Sequence, residues 1–388
     1  MQSVILKLDK DKPIRNHHHW IFSGAIKNAP NYTDGDILPV ETAGGEFLGY
    51  AYFNHKTSIS GRMLSFDQTS AEEALKQNID RAIAFRAKIF DRKITNAYRL
   101  INSEGDQIPG LIVDIYNDVL VLQIATLGIE RLKPLIVEHL KKILNLKTIY
   151  EKSNLSSRGE EGLSNQEGLL YGEDVDEIEI IENKIKFIVS IKNGQKTGFF
   201  LDQREMRAWV KKLSEGKKVL NCFGYTGGFS LYAMKGSATT VDTVDISADA
   251  INLAKKNASL NKIDIKKHGW IVEDVFKFLR EKPLEYDLII LDPPAFTKRK
   301  TDIVQACRGY KDINRLAMKK IPSGSLLLTS SCSYHVDEKL FQTVIFQAAQ
   351  EAGRNVRIIG RHRLAPDHPI NIFHPEGEYL KSLLLFIE

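Results

Sequence analysis

The chain is poor in cysteine, with three in 388 residues: Cys222, Cys307 and Cys332. Three thiols build no disulfide framework, and their spacing is not that of zinc ligands. A disulfide-stapled secreted domain and a zinc ribbon are excluded. Also missing is any apolar run near the ~20 residues that carry a helix across a bilayer. The N-terminal segment places Lys7, Asp9, Lys10, Asp11 and Lys12 where a signal peptide needs an apolar stretch. These absences predict a cytoplasmic protein with no membrane partner. Repeats and low-complexity segments are absent too. A net charge of only +5 permits a nucleic-acid partner without requiring one.

What is present is an ordinary globular balance, 43% hydrophobic and 27% charged, in a chain long enough for two or three domains. Cations gather locally at Lys298, Arg299 and Lys300, at Arg308, Lys311 and Arg315, and at Arg354, Arg357, Arg361 and Arg363. One such cluster reads as a solvated face. Several near one pocket weaken that reading.

Residues 1–68 hold short β-like pieces such as Ile37 to Val40 and Phe47 to Phe53, separated by turn signals at Asp34-Gly35 and Gly44-Gly45. Within them, His17-His18-His19 reads as a surface turn anchored by Trp20, with a metal site as the alternative. Residues 71–90 have helical spacing. Leu111 to Tyr116 and Val119 to Ile124 flank Asn117-Asp118, a two-residue hairpin signal. Leu132, Leu135, Ile136, His139, Leu140 and Ile143 share a helical stripe, on which His139 reads as a boundary residue rather than a ligand. Ser153 to Glu177 is polar and reads as a linker.

Beyond residue 183 strands and helices alternate. Candidate strands are Lys186 to Ile191, Lys218 to Cys222, Thr240 to Asp245, Asp287 to Leu291, Ser325 to Ser330, Val356 to Ile359 and Lys381 to Ile387. Alternation of this kind predicts a mostly parallel sheet covered on both faces.

Two strand ends carry reactive groups. Asp292-Pro293-Pro294-Ala295-Phe296 follows one, and Ser331-Cys332-Ser333 follows the next. Upstream, Val219 to Ser230 runs from a strand through a glycine loop into a helix, and the next strand ends at Asp245, placed to bind ribose hydroxyls. The G-x-G-x-x-G pattern of dinucleotide sites is absent, with Cys222 and Thr226 in its way. A looser loop suits S-adenosyl-L-methionine, which carries no phosphate. Asp274, near the third strand end, is placed to accept from an adenine amine. Gly194 to Arg204 packs two glycines, two aromatics, a cation and an acid into a short span. That span reads either as a hairpin leading to a helix capped by Asp202 or as a lid over the methionine end of the cofactor.

Together these motifs, with Pro109 to Asp114 and Cys307 to Asn314, resemble the bacterial PUA-domain-containing class I methyltransferases that modify cytosine C5 in 23S ribosomal RNA. Trp20 to Ile26 carries a fainter likeness to the PUA domain. The resemblance implies an α/β protein in three parts: a PUA-like RNA-binding domain at 1–68, a central α+β domain at 69–180, and a Rossmann-like methyltransferase domain at 181–388 with a mostly parallel seven-stranded sheet. It implies a cofactor pocket lined by Lys196, Thr197, Gly198, Phe223, Tyr225, Thr226, Gly227, Asp245, Ser247, Asp274, Val275 and Asp292. It further implies Cys332 as nucleophile, assisted by Asp292, with ribosomal RNA as partner and no metal. Exposed β edges in the first two parts would permit a homodimer. The chain departs from many RNA cytosine methyltransferases at Ala295-Phe296, where they carry a second cysteine after the prolines, so a two-cysteine mechanism has no place at that motif.

The expected chemistry follows from cytosine itself. C5 is a weak nucleophile until a thiolate adds to C6. Phe296 or Tyr334 is expected to stack on the unstacked base. Cys222 and Cys307 read as structural. The rivals are a guanine N-methyltransferase, a non-catalytic RNA-binding or assembly protein, and an NAD-dependent oxidoreductase.

Overall fold

The computed structural model describes residues 2–297 and 299–388. Lys298, the first residue of one predicted basic cluster, lies outside them. The chain divides into two compact units. The first comprises Met1–Ile181, Val189–Leu201 and Pro366–Gly377, and the second comprises Glu182–Ile188, Asp202–Ala365 and Glu378–Glu388.

The first unit opens with a six-stranded sheet from residues 4–65. In spatial order its strands are Trp20–Ile21, Gly61–Ser65, Phe47–Phe53, Ile37–Glu41, Val4–Leu6 and Ile26–Asn28. Val4, Leu6, Val40, Ala51, Phe53 and Met63 alternate inward into one small core. A five-stranded sheet follows, in the order Gln166–Gly172, Thr148–Ser153, Val119–Ile124, Leu111–Tyr116, Ala97–Asn102. The predicted hairpin pairs Leu111 with Ile124 and Tyr116 with Val119, and its turn residue Asn117 adopts φ 59°. Helices Ala71–Ile89 and Leu127–Ile143 contribute their apolar faces to the core of this sheet. Ser70 starts the first of them by accepting the Glu73 amide. His139 stands at the boundary, its Nε2 2.8 Å from Asp80.

Three expectations are corrected. The polar stretch Ser153 to Glu177 is no linker, because Gln166–Gly172 pairs antiparallel with Thr148–Ser153. Its Arg158 is buried, donating to the Ile124 carbonyl at 2.7 Å and to Glu130 at 3.0 Å. Polar composition hid this strand, which stands at the sheet edge with much of its length in water. The histidine run is no simple surface turn either. His17 is exposed, but His19 is buried, and desolvation pushes it down to about 3, so it stays neutral. Lys186 to Ile191 is the third correction. That strand, observed as Ile185–Ser190, pairs with Glu177–Glu182 in a separate two-stranded sheet.

His18, His374 and Glu376 bring ligand-type atoms within 4.8 Å of one another. The Trp20 amide donates to His18 Nδ1 at 3.2 Å, which leaves the proton of the neutral ring on Nε2. Nε2 lies 3.2 Å from Glu376 Oε1. That nitrogen donates to a carboxylate and offers no lone pair to a cation. The late segment 366–377 is bound into the first unit elsewhere as well: Asp367 accepts the Arg99 amide at 2.8 Å, and its carbonyl accepts from Arg86 at 2.8 Å.

The second unit is built on a seven-stranded sheet in the order Gly269–Val272, Thr240–Asp245, Lys218–Cys222, Leu288–Leu291, Ser325–Ser331, Lys381–Ile387, Val356–His362. The first five run parallel, and Lys381–Ile387 is antiparallel to both its neighbours. Gly269–Val272 is the seventh strand, in place of the predicted Lys186 to Ile191. It has only four residues, Gly-Trp-Ile-Val, none of them fully buried, and ends in an exposed valine. Leu288 to Leu291 is fully buried, as a central parallel strand requires. Arg207 and Glu182 form a buried two-pronged ion pair at 2.7 Å, joined by the Tyr232 hydroxyl at 2.9 Å. This pair fixes helix Arg204–Leu213. Among the described residues no helix is long and apolar enough to cross a membrane.

Candidate active site

Register places the second unit's candidate residues at one edge. Cys222 pairs with Val244 and Leu291, Asp245 with Val272, and Leu291 with Thr329. Phe223, Asp245, Asp274, Asp292 and Cys332 therefore all follow the carboxyl ends of parallel strands, where open α/β sheets bind ligands.

The glycine loop is built for close approach. Phe223, Tyr225 and Gly227 adopt φ of 59°, 45° and 82°. A Cβ on Gly224 would meet Thr243 Cγ2 at 2.4 Å. Beneath the loop, Asn221 donates to Ser230 at 2.8 Å, Ser230 and Thr243 share a hydrogen bond of 2.7 Å, and Asn257 donates to the Thr226 carbonyl at 3.1 Å. Asp245 closes it from the side, accepting the Tyr225 and Ser247 amides at 2.9 Å each. Thr226 is buried with no partner for its hydroxyl among the described residues. An orphaned hydroxyl, a cradle that tolerates no side chain and a strand-end carboxylate fit a ribose-bearing ligand with an amino-acid tail.

Ser247 and Asp274 are helix N-caps. Ser247 accepts from the Ala250 amide and Asp274 from the Lys277 amide. Val275 points its side chain into the core. What it can offer a ligand is its amide, since first-turn N–H groups have no acceptor within the helix. Lys196, Thr197 and Gly198 belong to the first unit. Thr197 is buried there, bonded to Asp114 at 2.6 Å and to the Tyr116 hydroxyl at 2.8 Å, while Lys196 is exposed. Asp114 also holds Arg99, which gives the Pro109 to Asp114 motif a structural purpose.

The two reactive loops meet. Cys332 is half-buried, and its thiol donates to the Pro293 carbonyl across 3.8 Å. Asp292 accepts from Gln203 Nε2 at 2.9 Å. Burial, reinforced by the Asp202 charge, pushes the Asp292 carboxyl up to about 7, against the pull of Arg207 and Gln203. Ser333 is pinned from both sides, by the Tyr310 hydroxyl at 2.9 Å and by Lys381 Nζ, which donates to its carbonyl at 2.8 Å.

Sequence reasoning missed Gln203, Tyr310 and Lys381 as supports of this site. Gln203 and Tyr310 stood inside motifs already singled out. Lys381 gave one signal, a cation heading an otherwise apolar strand. Phe296, half-buried, packs on Tyr310 at 4.6 Å and Phe276 at 6.0 Å. Tyr334 is half-exposed. Cys222 is fully buried and Cys307 packs against the core, and burial pushes both thiols up.

Residues 162–371 match the model of the S-adenosylmethionine-dependent methyltransferases, and residues 4–66 match that of the PUA-like domain. The chain belongs to the S-adenosylmethionine-dependent methyltransferase family. Among full-length relatives, a protein of Aliivibrio fischeri named ribosomal RNA large subunit methyltransferase I is 42% identical, with 98% of each chain covered. Its namesake in Aeromonas hydrophila is 40% identical, covering 99% of this chain and 98% of its own. Among solved structures, a SAM-dependent methyltransferase of Streptococcus mutans superposes with TM-score 0.83 at 25% identity, covering 99% of this chain and all of its own. A methyltransferase solved with SAH gives 0.84 at the same identity and coverage. Family membership makes S-adenosylmethionine the cofactor, and the glycine-loop geometry agrees.

Proposed function

We propose that this methyltransferase forms 5-methylcytosine in 23S ribosomal RNA in the cytoplasm, with Cys332 as covalent nucleophile. One observation carries the reading: a half-buried thiol at one strand end lies against the backbone of the Asp-Pro-Pro motif at the next. The names of the full-length relatives support the large-subunit substrate, and the PUA-like segment supplies a grip on RNA.

The Cys332 thiolate adds to C6 of the cytosine, and the electron pair moves to C5, making it enamine-like. Bound S-adenosylmethionine supplies an electrophilic methyl group to that carbon. Loss of the C5 proton then returns the electron pair, breaks the C6–S bond and frees the thiolate. Asp292, poised near neutrality, in its protonated form donates to N3 and balances the charge that develops there. Pro293 and Pro294 fix the backbone beneath the base. The resemblance also assigns Lys196, Thr197 and Gly198 to the cofactor, and Lys196→Ala with a titration of S-adenosylmethionine tests that assignment. A homodimer joined through exposed sheet edges completes the reading, and light scattering checks it.

Mass spectrometry of nucleosides from the large-subunit RNA of a deletion strain and its parent tests the whole. The expected result is loss of one 5-methylcytosine. Loss of a methylguanosine instead would replace this reading with N-methylation.

A further inference from the structure

We infer that Lys381 is the positioning and activating cation of Cys332: its ammonium group anchors the Ser331-Cys332-Ser333 loop and favours the thiolate. The inference rests on Cys332 being the nucleophile, but its geometry stands apart. Lys381 lies directly across the sheet from Ser331 in antiparallel register, one residue from the thiol. Its side chain is buried, a rare state for lysine without a partner. Its Nζ donates to the Ser333 carbonyl at 2.8 Å, on the far side of Cys332 from Ser331. A single lysine thus brackets the cysteine from the neighbouring strand.

Burial pushes the Lys381 ammonium down to about 8, while negative charge on Cys332, Asp337 and Glu378 pulls it back up. Below that pH the ammonium is present, and its attraction to the Cys332 thiolate is mutual. Among the described residues, Asp292 adjoins the carbonyl that accepts from the thiol, Asp337 caps the following helix and Glu378 acts on Lys381; Tyr310 stands on helix Ile303–Lys320, His335 follows three residues after Cys332, and Arg361 and Arg363, which line a cavity with Lys381, are paired with Glu338. Each of these acids would raise a thiol, so a buried cation at this position has an electrostatic task that a structural tether does not. The tether alone would be served by any donor.

The test needs neither RNA nor methyl donor. The rate of iodoacetamide alkylation of Cys332 is followed against pH by mass spectrometry of its peptide, in the wild type, Lys381→Arg and Lys381→Met. An ordinary thiol titrates near 8.5. The wild-type midpoint is expected about one unit or more below that, near wild type in Lys381→Arg, and raised by about one unit or more in Lys381→Met. A wild-type midpoint at or above the ordinary value overturns the inference whether or not the variants fold. So does an unchanged midpoint in a Lys381→Met protein that melts normally and binds S-adenosylmethionine. Turnover by Cys332→Ala judges the nucleophile separately, so failure of one leaves the other readable.

Discussion

The thiol of Cys332 donates to the carbonyl oxygen of Pro293 across 3.8 Å, joining two strand-end loops about forty residues apart in sequence. The proposed nucleophile is thereby held against the backbone next to the proposed acid, Asp292.

Replacing Cys332 by alanine should lower methyl transfer by roughly a thousandfold or more while leaving the affinity for S-adenosylmethionine intact. RNA carrying 5-fluorocytosine should trap the wild type covalently, because fluorine cannot leave C5 as a proton does. A band resistant to denaturing electrophoresis is the readout. Full turnover by the alanine variant would end the C5 reading.

Asp292→Asn should stabilise the fold in a pH-dependent way. The carboxyl is raised from 3.8 to about 7 in the folded chain. Between those values the native state holds more protons than the unfolded one, so wild-type stability declines as pH rises and levels off above about 7. Asparagine carries no such penalty and can still accept from Gln203. The melting advantage of the variant should be full at pH 8 and vanish toward pH 4. Its activity should fall, and the wild-type rate should decline above about pH 7 as the donor form of Asp292 is lost.

Gly224→Ala places a methyl 2.4 Å from Thr243 Cγ2, so the loop must shift. Cofactor affinity should drop by about tenfold or more, since a displacement near 1 Å breaks the close approach of backbone to ligand. Isothermal titration with S-adenosylhomocysteine measures it. Unchanged binding would show that the loop does not cradle the cofactor.

Arg207→Met strips buried Glu182 of its two shortest ion-pair bonds and leaves it only Arg204, at 3.5 Å, as a cation. The loss should be about 3–5 kcal/mol, or roughly 10 °C in melting temperature.

The long periodic segments were legible. Helix 71–89, the Asn117-Asp118 hairpin and five of the seven strands of the second sheet follow their sequence patterns closely, because each is buried enough for apolar spacing to report it. The failures share a cause. Gly269–Val272 and Gln166–Gly172 are edge strands, the first only four residues long and the second largely exposed, and neither is long or buried enough for its own pattern to announce it. In the same way, the glycine loop and both reactive motifs announced themselves locally. Lys381 did not, because its place beside Cys332 is set by antiparallel register between residues fifty positions apart, which no single segment encodes.

Residues 366–377 complete the first unit, although they come almost last in the chain. Buried Arg86, paired with Asp106, and the backbone of Arg99 each take a further partner in Asp367. During synthesis the N-terminal half thus leaves the ribosome before residues 366–377, which complete its unit, have been made. A nascent chain that stalls late is consequently left ajar in the part that was made first.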